Sequence, residues 1–151
     1  MRIIVTLLFL SSLLFSFQIG DKISQNVQDK LNIKEDKIYI IDFFASWCPS
    51  CEKEMPYISK VNETINKDDI EIIGIGVDED IKKGEAFVKK LTDANKLSFK
   101  VIYDPKNELI KEFNPVGMPA LYFIKNAKVV DQIIGAKDDI DKIILNKLKD
   151  L

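Results

Sequence analysis

A chain of 151 residues with 46% hydrophobic content has room for one domain with a proper core and is too short for two. Its 22 basic and 24 acidic residues leave a formal charge of −2, with no run of one sign, so nucleic-acid binding has no support. The chain has no histidine, which excludes Ser-His triads, histidine acid–base catalysis and histidine metal sites; its two cysteines alone cannot complete a zinc or iron–sulfur site within one chain.

Residues 1–20, MRIIVTLLFLSSLLFSFQIG, carry Arg2, an apolar core from Ile3 to Phe17 and no acidic residue. That is the pattern of a secretory signal. The core is shorter than the roughly 20 residues that span a bilayer, although Gln18, Ile19 and Gly20 extend it. Ser16 and Gly20 match a cleavage site poorly, so a cleaved signal and a retained membrane anchor both stand. No cysteine lies nearby, which excludes a lipid anchor. Residues 21–151 are then the folded domain. Its first stretch, Asp21 to Asp36, is charged, with Ile23, Val27 and Leu31 at helical spacing, and predicts a short amphipathic helix.

Ile38 to Phe44 is β-branched or aromatic except for Asp42 and predicts a strand buried on both faces. After Ala45, Ser46 and Trp47 come Cys48-Pro49-Ser50-Cys51 and then helix-forming residues. Pro49 suits a helix's first turn, where its missing N–H would have no partner. Cys48 is thereby placed at the helix N-terminus, where unpaired N–H groups and the helix dipole favour a thiolate. Cys51 lies about one turn deeper, placed to close or resolve a disulfide. A disulfide closing so short a loop adds little stability, so a purely structural bridge is the weaker reading.

Cys51, Met55, Ile58, Val61, Asn62 and Ile65 give that helix one inward face to about Asn66, through Pro56. Ile70 to Val77 predicts a second buried strand, closed by the acidic turn Asp78-Glu79-Asp80. Gly84 to Asn95 predicts a helix with Phe87, Leu91 and Ala94 inward; Phe99 to Tyr103 a short strand; and Glu108 to Phe113 a short helix. Leu121 to Ile124 and Lys128 to Ile134 flank the polar turn at Lys125 to Ala127, and Asp138 to Leu151 predicts a covering helix with a stripe of Ile140, Ile143, Ile144, Leu148 and Leu151. Strands alternating with helices predict an α/β protein with a parallel or mixed sheet covered on both faces.

Asp42-Phe43-Phe44-Ala45 ahead of Trp47-Cys48-x-x-Cys51, with Pro56 five residues beyond, and Gly117-Met118-Pro119-Ala120 before an apolar strand together resemble the thioredoxin family over roughly Lys37 to Leu151. The resemblance implies the thioredoxin fold, a mixed central sheet with helices on both faces, here with one extra βα insertion between the two motifs. That insertion resembles the secreted branch containing the TlpA-type proteins and the reductants of cytochrome c maturation, although the β-hairpin that usually opens that branch is not visible.

Residue by residue, the resemblance implies that Cys48 attacks and Cys51 resolves. Pro119 would follow a cis peptide bond beside the disulfide, and the Met118 backbone would pair with an extended substrate segment. Asp42, a carboxylate in an apolar strand, should have a raised pKa and take the proton from Cys51, a role the family also assigns it; the bland alternative is an edge-strand aspartate facing solvent. Glu54, in a C-x-x-E-x-P pattern, assists proton transfer or is an exposed helix glutamate near Lys53 or Lys60. Trp47 shields the disulfide and meets a partner, or is simply core.

The expectation is a periplasmic or extracytoplasmic thiol–disulfide oxidoreductase without cofactor or metal. It would reduce disulfides of exported proteins, apocytochrome c among the candidates, and be recharged by a membrane thiol donor. The uncharged Pro49-Ser50 pair points toward a reductant, whereas a cationic histidine there would favour an oxidant. An oxidant or isomerase of the same fold is the alternative. A copper-delivery protein would need the histidine this chain lacks.

Overall fold

The structure, a computed structural model, describes residues 17–151. Most of the signal or anchor expected over residues 1–20 therefore lies outside the described residues, among which no helix is long and apolar enough to cross a membrane. The elements run α1 (Gln25–Leu31), β1 (Ile38–Phe44), α2 (Pro49–Thr64), β2 (Ile70–Gly76), α3 (Ile81–Asp93), β3 (Lys100–Tyr103), α4 (Glu108–Phe113), β4 (Ala120–Lys125), β5 (Lys128–Ile134) and α5 (Ile140–Lys149).

One five-stranded sheet has the order β3-β2-β1-β4-β5. β1 is central, parallel to β2 and antiparallel to β4; β2 and β3 are parallel, and β4 and β5 form an antiparallel hairpin. The sheet is mixed, as expected, and the segment between β2 and β4 supplies α3, β3 and α4, with β3 on the sheet edge.

Alternation along β1 divides the core in two. Tyr39, Ile41 and Phe43 point to one face, where Phe43 meets Phe113 of α4 at 5.1 Å and Tyr122 at 6.0 Å between ring centroids. α1 joins α4 on that face through the Lys30–Glu108 ion pair. Ile40, Asp42 and Phe44 point to the other face, where Phe44 meets Phe87 of α3 at 6.0 Å. There α2 packs against α5, and Lys90 ties α3 to Glu52 of α2 at 2.7 Å. Gly74, opposite Asp42, must lack a side chain: a Cβ would stand 2.9 Å from the Phe99 ring and 3.0 Å from that of Phe44.

The larger departures from the sequence expectations lie in α1 and α3. Ile23 is buried but precedes α1, because Ser24 caps that helix by accepting the Val27 N–H at 3.2 Å; the chain before it lies along β5 through an isolated Lys22–Lys128 bridge. α3 starts at Ile81 rather than Gly84, since Asp80 accepts the Lys82 N–H and serves as its cap. Ala94, expected inward, is the exposed C-cap of that helix, and Gly84 is buried instead.

Candidate active site

β1 delivers the chain to the first turn of α2 through Ala45, Ser46 and Trp47, and two contacts fix that turn. The Val77 N–H donates to the Phe44 carbonyl at 2.9 Å, and the Asp78 carboxylate accepts from Ser46 N–H at 2.9 Å and Ser46 Oγ at 2.5 Å. Cys48 is the N-cap of α2, with Pro49 in its first turn. Its sulfur accepts the Cys51 N–H at 3.3 Å, so a backbone donor already points at the atom that would carry charge as a thiolate. Both cysteines are buried and joined in a disulfide with a Cα–Cα distance of 5.3 Å.

Asp42 lies 2% exposed on the α2-facing side of the central strand, so the solvent-facing edge alternative does not describe it. Its Oδ1 is buried without a hydrogen-bond partner, and its pKa is pushed up to about 8, first by loss of solvent and then by the Glu54 charge. Glu54 corrects the exposed-glutamate alternative: it is 4% exposed, on the inward side of α2 three residues after Cys51. Burial raises its pKa; the Lys137 N–H, donating to Oε1 at 2.5 Å, and the Lys137 charge oppose that rise, while Oε2 has no partner. Two neighbouring carboxyls are thus held toward their protonated forms between β1 and α2.

Trp47 is 65% exposed, which removes the core reading. It stands between two grooves, each of about 590 Å3. One is lined by Cys48, Pro49, Ile110, Val116 and Met118, with Lys111 as its one charged group; the other holds Asp78, Glu79, Asp80 and Lys83. Met118 borders both. The Met118–Pro119 peptide bond is cis, and the Pro119 carbonyl accepts the Gly135 N–H at 2.8 Å, made reachable by the positive φ of 77° at that glycine. The structure therefore gathers Trp47, Cys48 and Met118 around one groove and places Asp42 of β1 and Glu54 of α2 in the interior between that strand and helix.

Sequence reasoning missed Asp78 and the bend at Gly135–Lys137. As an acidic residue after a buried strand Asp78 looks like turn, whereas it holds the Ser46 backbone and hydroxyl. Nothing local marks the bend, whose two N–H groups reach Pro119 and Glu54 from far along the chain.

A family model described as AhpC/TSA family matches residues 15–133. The chain is 32% identical over 109 residues to thiol-disulfide oxidoreductase ResA of Bacillus thuringiensis subsp. konkukian, covering 70% of this chain and 61% of that protein. It is 26% identical over 93 residues to sporulation thiol-disulfide oxidoreductase A of Bacillus subtilis, covering 62% and 56%. A Chlorobium tepidum crystal structure assigned as thiol:disulfide interchange protein DsbE superposes with a TM-score of 0.76 at 20% identity, over 89% of this chain and 98% of that one. The chain spans less than two thirds of the length of either curated relative. It belongs to the AhpC/TSA family, and its fold is the thioredoxin fold.

Proposed function

We propose that this AhpC/TSA-family chain is an extracytoplasmic thiol–disulfide oxidoreductase that reduces disulfides of exported proteins, with apocytochrome c as a candidate substrate and a membrane thiol donor restoring its dithiol. The observation that carries the reading is a Cys48–Cys51 disulfide at a helix N-terminus, beside an open groove and in front of two protonatable carboxyls.

In the reduced protein the Cys48 thiolate attacks one sulfur of the partner's disulfide; a mixed disulfide forms and one partner sulfur leaves as thiolate. Cys51 gives its proton to Asp42 and attacks Cys48 Sγ, which closes the Cys48–Cys51 bond and releases the second partner sulfur. Two electrons pass to the partner. Glu54 holds part of the negative charge that ionising Asp42 must face, and so sets when Asp42 is ready to accept. An extended partner strand laid along Met118 would present its disulfide to Cys48, with Trp47 covering it.

Between the cysteines only the neutral Ser50 hydroxyl, 3.6 Å from Cys48 Sγ, adds to the helix terminus in stabilising the thiolate, since neither Pro49 nor Ser50 carries a charge. The reduced form gains less than in a strong oxidant, which supports a reductant. The equilibrium potential of the pair in the full chain, measured in thiol redox buffers, tests this. A value near or below about −270 mV is expected; one near about −120 mV would make the protein an oxidant and remove the reductase reading.

A further inference from the structure

Pro49 borders two grooves. One is the Trp47–Met118 groove; the other, of about 800 Å3, runs from Pro49 and Ser50 along α2 past Tyr57 to the bend before α5. Four lysines line this second groove: Lys53 and Lys60 from α2, Lys96 from the turn after α3, and Lys137 from the bend. All four are exposed, and none forms an ion pair among the described residues, whose pairs use other lysines.

The carboxylates facing the groove do not cancel them. Glu52 is bonded to Lys90, and the buried Glu54 offsets Lys137 at most, which leaves Asp138 against Lys53, Lys60 and Lys96. A chain with a net charge of −2 thus concentrates unpaired positive charge in a cleft that begins at the first turn of the Cys48–Cys51 helix. A concave wall focuses such a field, and lysines on flexible stems adapt to carboxylates of varied placement. Tyr57 and Pro56 add apolar floor, with the Lys60 ammonium 5.3 Å from the Tyr57 ring centroid.

We propose that this groove docks an acidic peptide segment of the exchange partner, a surface separate from the Trp47–Met118 groove where the disulfide itself would lie. The inference rests on the thiol–disulfide exchange reading for its consequence, and it orients the partner. The flank of Trp47 lined by Asp78, Glu79 and Asp80 would repel an acidic segment, so that segment lies along α2. The cleft is concave and borders Pro49 and Ser50, which suits a polypeptide segment continuous with the reacting disulfide better than a flat lipid surface.

Three peptides of one sequence with a single internal disulfide, flanked by runs of glutamate, serine or lysine, would be reduced by the full reduced chain in neutral detergent. At low ionic strength the glutamate peptide should react about tenfold or more faster than the serine peptide and the lysine peptide slower still; the ratio should collapse toward one at about 1 M salt. In Lys53→Glu/Lys60→Glu/Lys96→Glu the order should invert. Equal rates for the three peptides, or a glutamate preference that survives the triple change, would overturn the proposal. Calorimetry with a cysteine-free glutamate peptide separates the two readings: lysine-dependent binding without exchange of any peptide would leave the groove standing and sink the reductase. Lysine-dependent binding to phosphatidylglycerol vesicles but not to the glutamate peptide would overturn the groove as a peptide site.

Discussion

Four carboxyl side chains are buried among the described residues, and they divide by position into two pairs with opposite treatment. At the ends of β2 and β3, Asp78 and Asp104 are fully used. Asp78 holds the Ser46 backbone and hydroxyl; Asp104 accepts the N–H groups of Glu108, Leu109 and Ile110 at 2.9, 2.9 and 3.1 Å, satisfying the open end of α4. Between β1 and α2, Asp42 and Glu54 each keep a buried oxygen without a partner. The first pair fixes loops. In the second, Glu54 Oε1 holds the Lys137 N–H, but each carboxyl keeps one desolvated oxygen unpaired, which is what a group that must gain and lose a proton requires.

Activity separates the two pairs most. Asp42→Asn keeps the shape of the side chain and removes the base, so reduction of a peptide disulfide should slow by about a hundredfold near neutral pH. An unchanged rate, measured by thiol release, would make Asp42 a passive core residue. Asp104→Ala should do the reverse: three N–H groups lose their acceptor, the protein loses about 2–3 kcal/mol and the melting temperature falls by about 5–10 °C, while each folded molecule exchanges at its former rate.

Stability against pH sharpens the same contrast. Asp42 has a folded-state pKa raised from 3.8 to about 8, so the folded state holds the proton that the unfolded state gives up. Its contribution is fully present below about pH 4 and is lost as pH rises, at about 1.4 kcal/mol per pH unit, until the folded carboxyl ionises near pH 8. Denaturant midpoints should decline across that window in the native chain and flatten in Asp42→Asn; parallel curves would show that Asp42 is not charged at such cost. The smallest effect belongs to Glu54→Gln. Removing that charge lowers the Asp42 pKa, and the rising limb of the pH–rate profile should move to lower pH by less than about one unit. A limb that stays in place would separate the two carboxyls.

Several features were legible because their causes are local. The apolar run Ile38–Phe44 reads as a strand buried on both faces, as it is, and Pro49 after Cys48 marks a helix start that the structure places within one residue. Ala94 failed because the periodicity of α3 continued on paper past the point where the backbone turns into its cap. Glu54 stayed ambiguous because a glutamate between lysines on a helix looks solvated; what buries it is the bend carrying Lys137, 83 residues later.

The order of strands and helices, the placement of the two cysteines on a helix's first turn and the presence of one carboxylate in an apolar strand are written in the residues themselves. Periodicity, capping and the backbone needs of proline act over a few residues, and they can be read there. Which carboxyls keep an oxygen unpaired, that Trp47 stands in solvent, and that lysines from α2, the turn after α3 and the bend before α5 share one cleft all come from packing between segments far apart in the chain. Protonation and surface potential depend on the solvent removed and the charges gathered by segments far apart in the chain, and no local pattern records either.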